Sequence, residues 1–165
     1  MKVAFTGHRP HKLGGYDDSK NKRKAVVREI DIAIKELSQE INYYANVDIE
    51  IISGMALGVD QWAAEYAILN GHPLLSYVPC DNQDRMWQAE SKTIYRELLD
   101  RSTRIKECCP GPYANWKMQK RNQDMVDDCD VLIAVWNGTS GGTCNCVKYA
   151  EEQKKRIIKI NPEKL

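Results

Sequence analysis

The sequence predicts an α/β fold: one domain built on a doubly wound, mostly parallel sheet with helices on both faces. Three observations predict it. Apolar runs of strand length alternate with longer segments of helical period along the whole chain. No linker or low-complexity stretch interrupts them. The loops that follow the apolar runs are rich in glycine and turn residues, as expected where strands feed helices. Strands joined through helices imply right-handed crossovers and a sheet covered on both sides.

The elements follow in order. Lys2 to Thr6 is an apolar run ending at Gly7 and reads as strand one. Residues from about Ser19 to Tyr44 carry helical spacing through Val26, Ile30, Ala33, Ile34 and Leu37, with Asp17, Asp18 and Ser19 as caps. Asp48 to Ser53 is strand two, and Gly54 opens a turn before a helix with Val59, Trp62, Ala63, Tyr66 and Ala67 inward. Gly71 ends that helix. Pro73 to Val78 is strand three, and Asp84 to about Asp100 is a polar helix with Met86, Ile94, Leu98 and Leu99 as inner contacts. Thr103 to Cys108 alternates as a short strand, and Ala114 to Asp128 returns to helical period after Pro110-Gly111-Pro112. Asp130 to Trp136 is strand five, followed by a glycine-rich loop, a helix to about Lys154 and a last strand over Arg156 to Ile160.

The chain has 165 residues, 42% hydrophobic and 28% charged, the composition of one soluble globular domain. A chain of this size buries roughly 70% of its unfolded surface, enough for a core without staples. No run approaches the ~20 apolar residues of a membrane span, and the start is too quickly polar for a signal peptide, so no membrane contact and a cytoplasmic location are expected. Six cysteines without opposed CxxC pairs read as reduced thiols, with no metal site expected. A net charge of +1 gives no general attraction to nucleic acid, which is therefore expected not to be a partner. The charge is uneven: residues 1 to 35 hold nine Lys/Arg and four Asp/Glu, and Lys20, Lys22, Arg23, Lys24 and Arg28 fall on the expected first helix as a solvated basic face.

In such a sheet ligands bind beyond the carboxyl ends of the strands, and three loops there carry chemistry. In Thr6-Gly7-His8-Arg9-Pro10, Gly7 permits close backbone approach, Arg9 suits a phosphate or carboxylate, and His8 suits a phosphate or ribose oxygen. The bland alternative is a glycine that only turns the chain. In Ser53-Gly54-Met55-Ala56-Leu57-Gly58-Val59-Asp60 the two glycines leave N–H groups for an anion at the helix N-terminus. Asp60 either complements the helix dipole or accepts from a ribose hydroxyl. Asn137-Gly138-Thr139-Ser140-Gly141-Gly142-Thr143 has the composition of a phosphate cradle, and no Lys follows it as an ATPase loop requires. Trp136 beside it either stacks on a base or closes the sheet end. By residue type alone Arg121, Asn122, Asp124, Asp127 and Asp128 read as solvated helix surface.

Together these loops resemble the SLOG superfamily, the Rossmann-like group that unites the DNA-processing protein DprA with the cytokinin-activating phosphoribohydrolases. Phe5-Thr6-Gly7-His8-Arg9-Pro10, and Arg121-Asn122-Gln123 followed by Val131 to Trp136 and Gly141-Gly142-Thr143, look most like its small YpsA/YspA-like members. Ser53 to Asp60 is similar to the DprA segment SGxAxGID, and Arg121-Asn122 to the start of its RNR. The resemblance implies a small nucleotide-derived ligand, ADP-ribose-like or a nucleoside phosphate. Gly7, His8, Arg9, Ser53, Gly54, Gly58, Asp60, Arg121, Asn122, Gly138, Ser140, Gly141, Gly142 and Thr143 would hold it, with no cofactor. A homodimer, the habit of the superfamily, is compatible with apolar positions on the outer helices. The phosphoribohydrolase pattern GGxGTxxE ends in a catalytic glutamate, and aligning its GT with Gly142-Thr143 puts Cys146 there.

Three functions follow. A sensor or sequestering module needs no catalytic residue. A nucleotide N-glycosidic hydrolase needs a carboxylate, for which Asp60 is the leading candidate, followed by Asp81, Asp84 and Glu90. DNA binding in the DprA manner would use the basic first helix.

Overall fold

Apolar runs buried on both sides need strand partners on both edges, and a sheet supplies them. The computed structural model describes residues 1–17, 19–44 and 47–165, with only the backbone for 42–44. Its strands are β1 (Lys2–Gly7), β2 (Glu50–Ser53), β3 (Leu74–Val78), β4 (Arg104–Glu107), β5 (Val131–Val135) and β6 (Arg156–Ile160). They form one six-stranded sheet in the order β4-β3-β2-β1-β5-β6. All five neighbouring pairs are parallel. The helices between them are α1 (Arg23–Tyr44), α2 (Val59–Leu69), α3 (Ala89–Asp100), α4 (Asn115–Asp128) and α5 (Gly142–Glu152). The architecture is the Rossmann-like doubly wound α/β fold that the sequence predicts.

Side chains alternate across each strand and split the core in two. Val3, Phe5, Ile51, Leu74 and Ile133 pack on one face with Ile30, Leu37, Trp62 and Leu98 of α1, α2 and α3. Ala4, Ile52, Leu75 and Leu132 pack on the other with Met125 and Val126 of α4 and Cys146 and Ala150 of α5. The chain leaves β1 toward β2 on one side and returns from β4 to β5 on the other. That reversal makes β1 and β5 the switch point of the sheet. Among the described residues no helix is long and apolar enough to cross a membrane.

Four local readings are corrected. Helix α1 begins at Arg23 rather than Ser19. The Asp17 carboxylate accepts from Ser19 N (3.0 Å) and Ser19 Oγ (2.6 Å) in a local turn, and Asn21 Oδ1 accepts from Arg23 N (3.0 Å). Asp18 lies outside the described residues. Lys20 and Lys22 therefore precede the helix, and Arg23 is paired with Glu65 of α2 instead of lying on a free basic face. Helix α3 begins at Ala89 rather than Asp84, because Trp87 N bonds Asp84 O in a turn and the Trp87 ring meets Tyr95 edge-on at 5.3 Å. Met86 is consequently 83% exposed rather than an inner contact. Finally, α5 stops at Glu152, since Lys154 turns into the left-handed region at φ +55°.

The end of β1 and the start of α2 approach closely through glycine. Gly58 has φ +96°, and a Cβ there would stand 2.6 Å from the His8 carbonyl oxygen. Both strain and overlap oppose any side chain. Gly58→Ala is expected to lose about 2–4 kcal/mol in urea unfolding, whereas Gly142→Ala, with open space around it, should be neutral or slightly stabilising.

Candidate ligand-binding cleft

Thr6 and Gly7 pair with Ala134 and Val135 at the carboxyl end of the switch point. The loops leaving β1 and β5 start there side by side, and His8 N donates to Val135 O at 3.3 Å. A cleft of about 290 Å³ opens above them. It is lined by Thr6 to Arg9, His11 and Lys12 from the first loop, Ala56 and Asp60 from the β2–α2 loop, Met118, Arg121 and Asn122 from α4, and Thr139 to Thr143.

Most of the β2–α2 loop stays behind this lining. Ser53 Oγ donates to Asp60 O (2.6 Å) and accepts from Met55 N (3.1 Å), while Gln61 Nε2 donates to Met55 O (3.3 Å). Met55 is fully buried in the left-handed region at φ +59°. Gly54 is glycine because a Cβ would stand 2.5 Å from Arg121 Cζ and 2.7 Å from Asp60 Oδ2. Ser53, Gly54 and Gly58 thus shape the loop without lining the cleft. The N–H of Ala56 donates to Asp60 Oδ2 at 3.4 Å.

Arg121 is 4% exposed, so the solvated-surface reading of its residue type gives way. It lies four residues before buried Met125 and shares its inward face. Its guanidinium donates to Gly54 O and, through Nε, to Asn122 Oδ1 at 2.9 Å. Asp60 is the one carboxylate among the described residues of the cleft lining, 7% exposed. Burial pushes its carboxyl above the usual range, against the pull of Arg121, the Ala56 N–H and Arg9.

His8 is 4% exposed, and burial lowers its pKa, which favours neutral imidazole. Its Nε2 lies 2.7 Å from Asn137 Oδ1 and 3.3 Å from Asn137 N. Asn137 Nδ2 donates to Glu163 Oε1 at 2.7 Å, which fixes the amide, so the shorter contact assigns the proton to Nε2. Asn137 Oδ1 also accepts from Thr139 Oγ1 (2.8 Å), which accepts from Lys12 Nζ (3.3 Å). These bonds tie the first loop to the β5–α5 loop.

Helix α5 starts at Gly142 with no side-chain cap. Its first N–H groups have no carbonyl inside the helix, and they carry the positive end of its dipole. Gly138 to Gly142 are exposed, and Gly138 lies outside the cleft lining. Trp136 does not line the cleft either: its Nε1 donates to Thr139 O at 2.7 Å and braces the loop from behind. Cys146, at the place of the phosphoribohydrolase glutamate, is fully buried in the core, and burial pushes its thiol up to about 12. Asp81 accepts from Gly111 N (2.8 Å) and Asp84 approaches Arg96 (4.0 Å); neither they nor Glu90 line the cleft. Asp124, Asp127 and Asp128 are engaged on the helix surface by Lys120, Tyr149 and Lys106.

The sequence reading missed His11, Lys12 and Met118. His11 and Lys12 arrive through a single 3₁₀ turn over Pro10–Lys12, too short for any periodicity, and Pro10 at its start is the only signal.

A parallel sheet with three loops meeting over its switch point defines a Rossmann-like domain. The chain belongs to the YspA SLOG family, whose model matches residues 3–165. It is 33% identical over 135 residues to the uncharacterized SPbeta prophage-derived protein YoqJ of Bacillus subtilis, covering 72% of this chain and 76% of that one. It is 25% identical to a UPF0398 protein of Brevibacillus brevis, covering 97% and 88%. Among solved structures it is similar to DNA processing protein A of Streptococcus pneumoniae, with a TM-score of 0.68 and 20% identity. The same protein of Helicobacter pylori, described by its single-stranded DNA binding mode, gives 0.62 and 20%. These likenesses establish the fold. The chain is covered to 97% and 96% but spans only 50% and 64% of those two proteins. The finding overturns the expectation that nucleic acid is not a partner: net charge argued against DNA, yet a neighbour in fold binds it.

The raised Asp60 pKa has a consequence for stability. The folded state holds this proton more tightly than the unfolded chain, so its contribution is complete below the ordinary carboxyl value and is lost as pH rises through the folded value. Asp60→Asn should flatten that slope; an unchanged pH profile in calorimetry would refute the burial argument.

Proposed function

We propose that the chain binds a nucleotide-derived ligand, ADP-ribose-like or a nucleoside phosphate, as a sensor or sequestering module in the cytoplasm. One observation carries this reading: the uncapped N-terminus of α5 opens on a cleft whose described lining sets Arg9, Lys12 and Arg121 against a single carboxylate. Such a lining suits an anion. The amides of Gly142 and Thr143 and the Ser140 hydroxyl take a phosphate, with Arg9 and Lys12 closing from the exposed side. Asp60 accepts from a ribose hydroxyl, and neutral His8 holds the two loops together. Cys146 is buried where the phosphoribohydrolase pattern has its acid, so binding is better supported than hydrolysis. Six free thiols are consistent with a reducing compartment.

The likeness to the Helicobacter pylori protein favours a second reading, in which the nucleotide belongs to a single strand of DNA. Equilibrium dialysis against nucleoside monophosphates, NAD, ADP-ribose and cyclic nucleotides, read by mass spectrometry, tests both. Unaltered ligand retained on the protein side, and displaced by no oligonucleotide, supports the sensor; displacement by a single-stranded decamer favours the strand. Free base accumulating with time would overturn both in favour of hydrolysis. Gly142→Asp should weaken retention by ~10-fold or more without lowering Tm. Its side chain meets open space, and a carboxylate suits a first helical turn.

A further inference from the structure

Beside the cleft lies a second cavity of about 410 Å³, and Arg9 and Met118 line both. Its character differs. Tyr16, Trp87 and Tyr113 are in its lining with Met86 and Met118, and no carboxylate is among the described residues that line it. Tyr16 is 64% exposed and belongs to no core cluster. The Arg85 guanidinium sits 4.6 Å from the Tyr113 ring centroid, fixing that ring at the rim.

Gln83 also lines this cavity and is 7% exposed. Its Nε2 donates to Gly54 O at 3.2 Å, which sets the orientation of the amide, because a carbonyl only accepts. Its Oε1 is left as the only buried side-chain polar atom without a partner among the described residues. A buried acceptor with nothing to accept from is costly and rare in folded proteins. Gln83 shares the lining of this cavity with Tyr16, Trp87 and Tyr113, next to a cleft suited to phosphate.

We propose that this second cavity is a nucleobase subsite, in which Gln83 Oε1 accepts a hydrogen bond from a base N–H and the Tyr16, Trp87 and Tyr113 lining takes the ring. The proposal rests on the reading of the first cleft as a phosphate site. Arg9, common to both cavities, spans the two ends of one nucleotide. A flat ring with an N–H on its edge satisfies both features of the lining, whereas an aliphatic or acidic group would leave Gln83 unpaired.

Calorimetric titration of the protein with ribose 5-phosphate, with adenosine, guanosine, cytidine and uridine 5′-monophosphates, and with a single-stranded DNA decamer of mixed sequence tests the proposal. At least one monophosphate is expected to bind tenfold or more tightly than ribose 5-phosphate. Gln83→Leu and Tyr16→Ala should each cut that advantage at least fivefold and leave ribose 5-phosphate binding within twofold. Tyr16 is exposed, so its variant stays informative even if Gln83→Leu disturbs the Gly54 turn. An advantage confined to the decamer and lost in Tyr16→Ala also supports the subsite and assigns its base to a strand. Equal affinity for all probes, or an advantage intact in both variants, overturns the subsite while the phosphate cleft stands. Failure of every probe to bind the parent protein overturns the cleft reading itself.

Discussion

Arg121 reaches from α4, on one face of the sheet, to the carbonyl of Gly54 in the loop that leads to α2 on the other. The contact is buried, and it joins the two halves of the doubly wound fold where the crevice opens. Everything around it is arranged to admit the guanidinium. Position 54 carries no side chain because one would strike Arg121, and Asp60 lies beside it to offset the charge. Burying such a group without partners would cost several kcal/mol per ion. Gly54 O, Asn122 Oδ1 and the Asp60 carboxyl share the task of compensating it. The cleft is therefore preorganised by interactions largely complete without a ligand.

The exposed cations Arg9 and Lys12 stand on the first loop, which His8 and Asn137 lash to the β5–α5 loop. A near-neutral chain thus concentrates positive charge at one crevice while ion pairs such as Arg23–Glu65 consume it elsewhere. Net charge averages over this arrangement and so gives no ground for excluding nucleic acid. Local potential, set by which charges remain unpaired near low-dielectric walls, governs what a crevice attracts.

Much of the fold was legible in the residues. The apolar runs Val3 to Phe5, Ile51 to Ile52 and Val131 to Val135 are continuous because both faces of their strands are covered, and that signal survives without any partner in view. Element ends were less legible. Asp17 and Ser19 look like a helix cap but close a turn on each other, since the same oxygen serves either purpose. Met86 looks like an inner contact, yet the turn ending at Trp87 displaces the start of α3 beyond it.

For the cleft, the sequence by itself determined the three loops and their placement beyond the strand ends, because βαβ connectivity leaves few alternatives for where loops gather. Only the tertiary structure decided how the residues divide. It put Ser53, Gly54 and Gly58 behind the lining and brought Arg121 out of solvent. It turned Trp136 to brace the loop and sank Cys146 into the core. It also added Lys12 to the cleft and put Gln83, whose Oε1 is buried and unpaired, in the lining of a second cavity. The contacts that place Arg121 on Gly54 and Lys12 on Thr139 join positions 67 and 127 residues apart. Local pattern records which face of an element is apolar, whereas the direction of a buried polar side chain depends on what packs across from it.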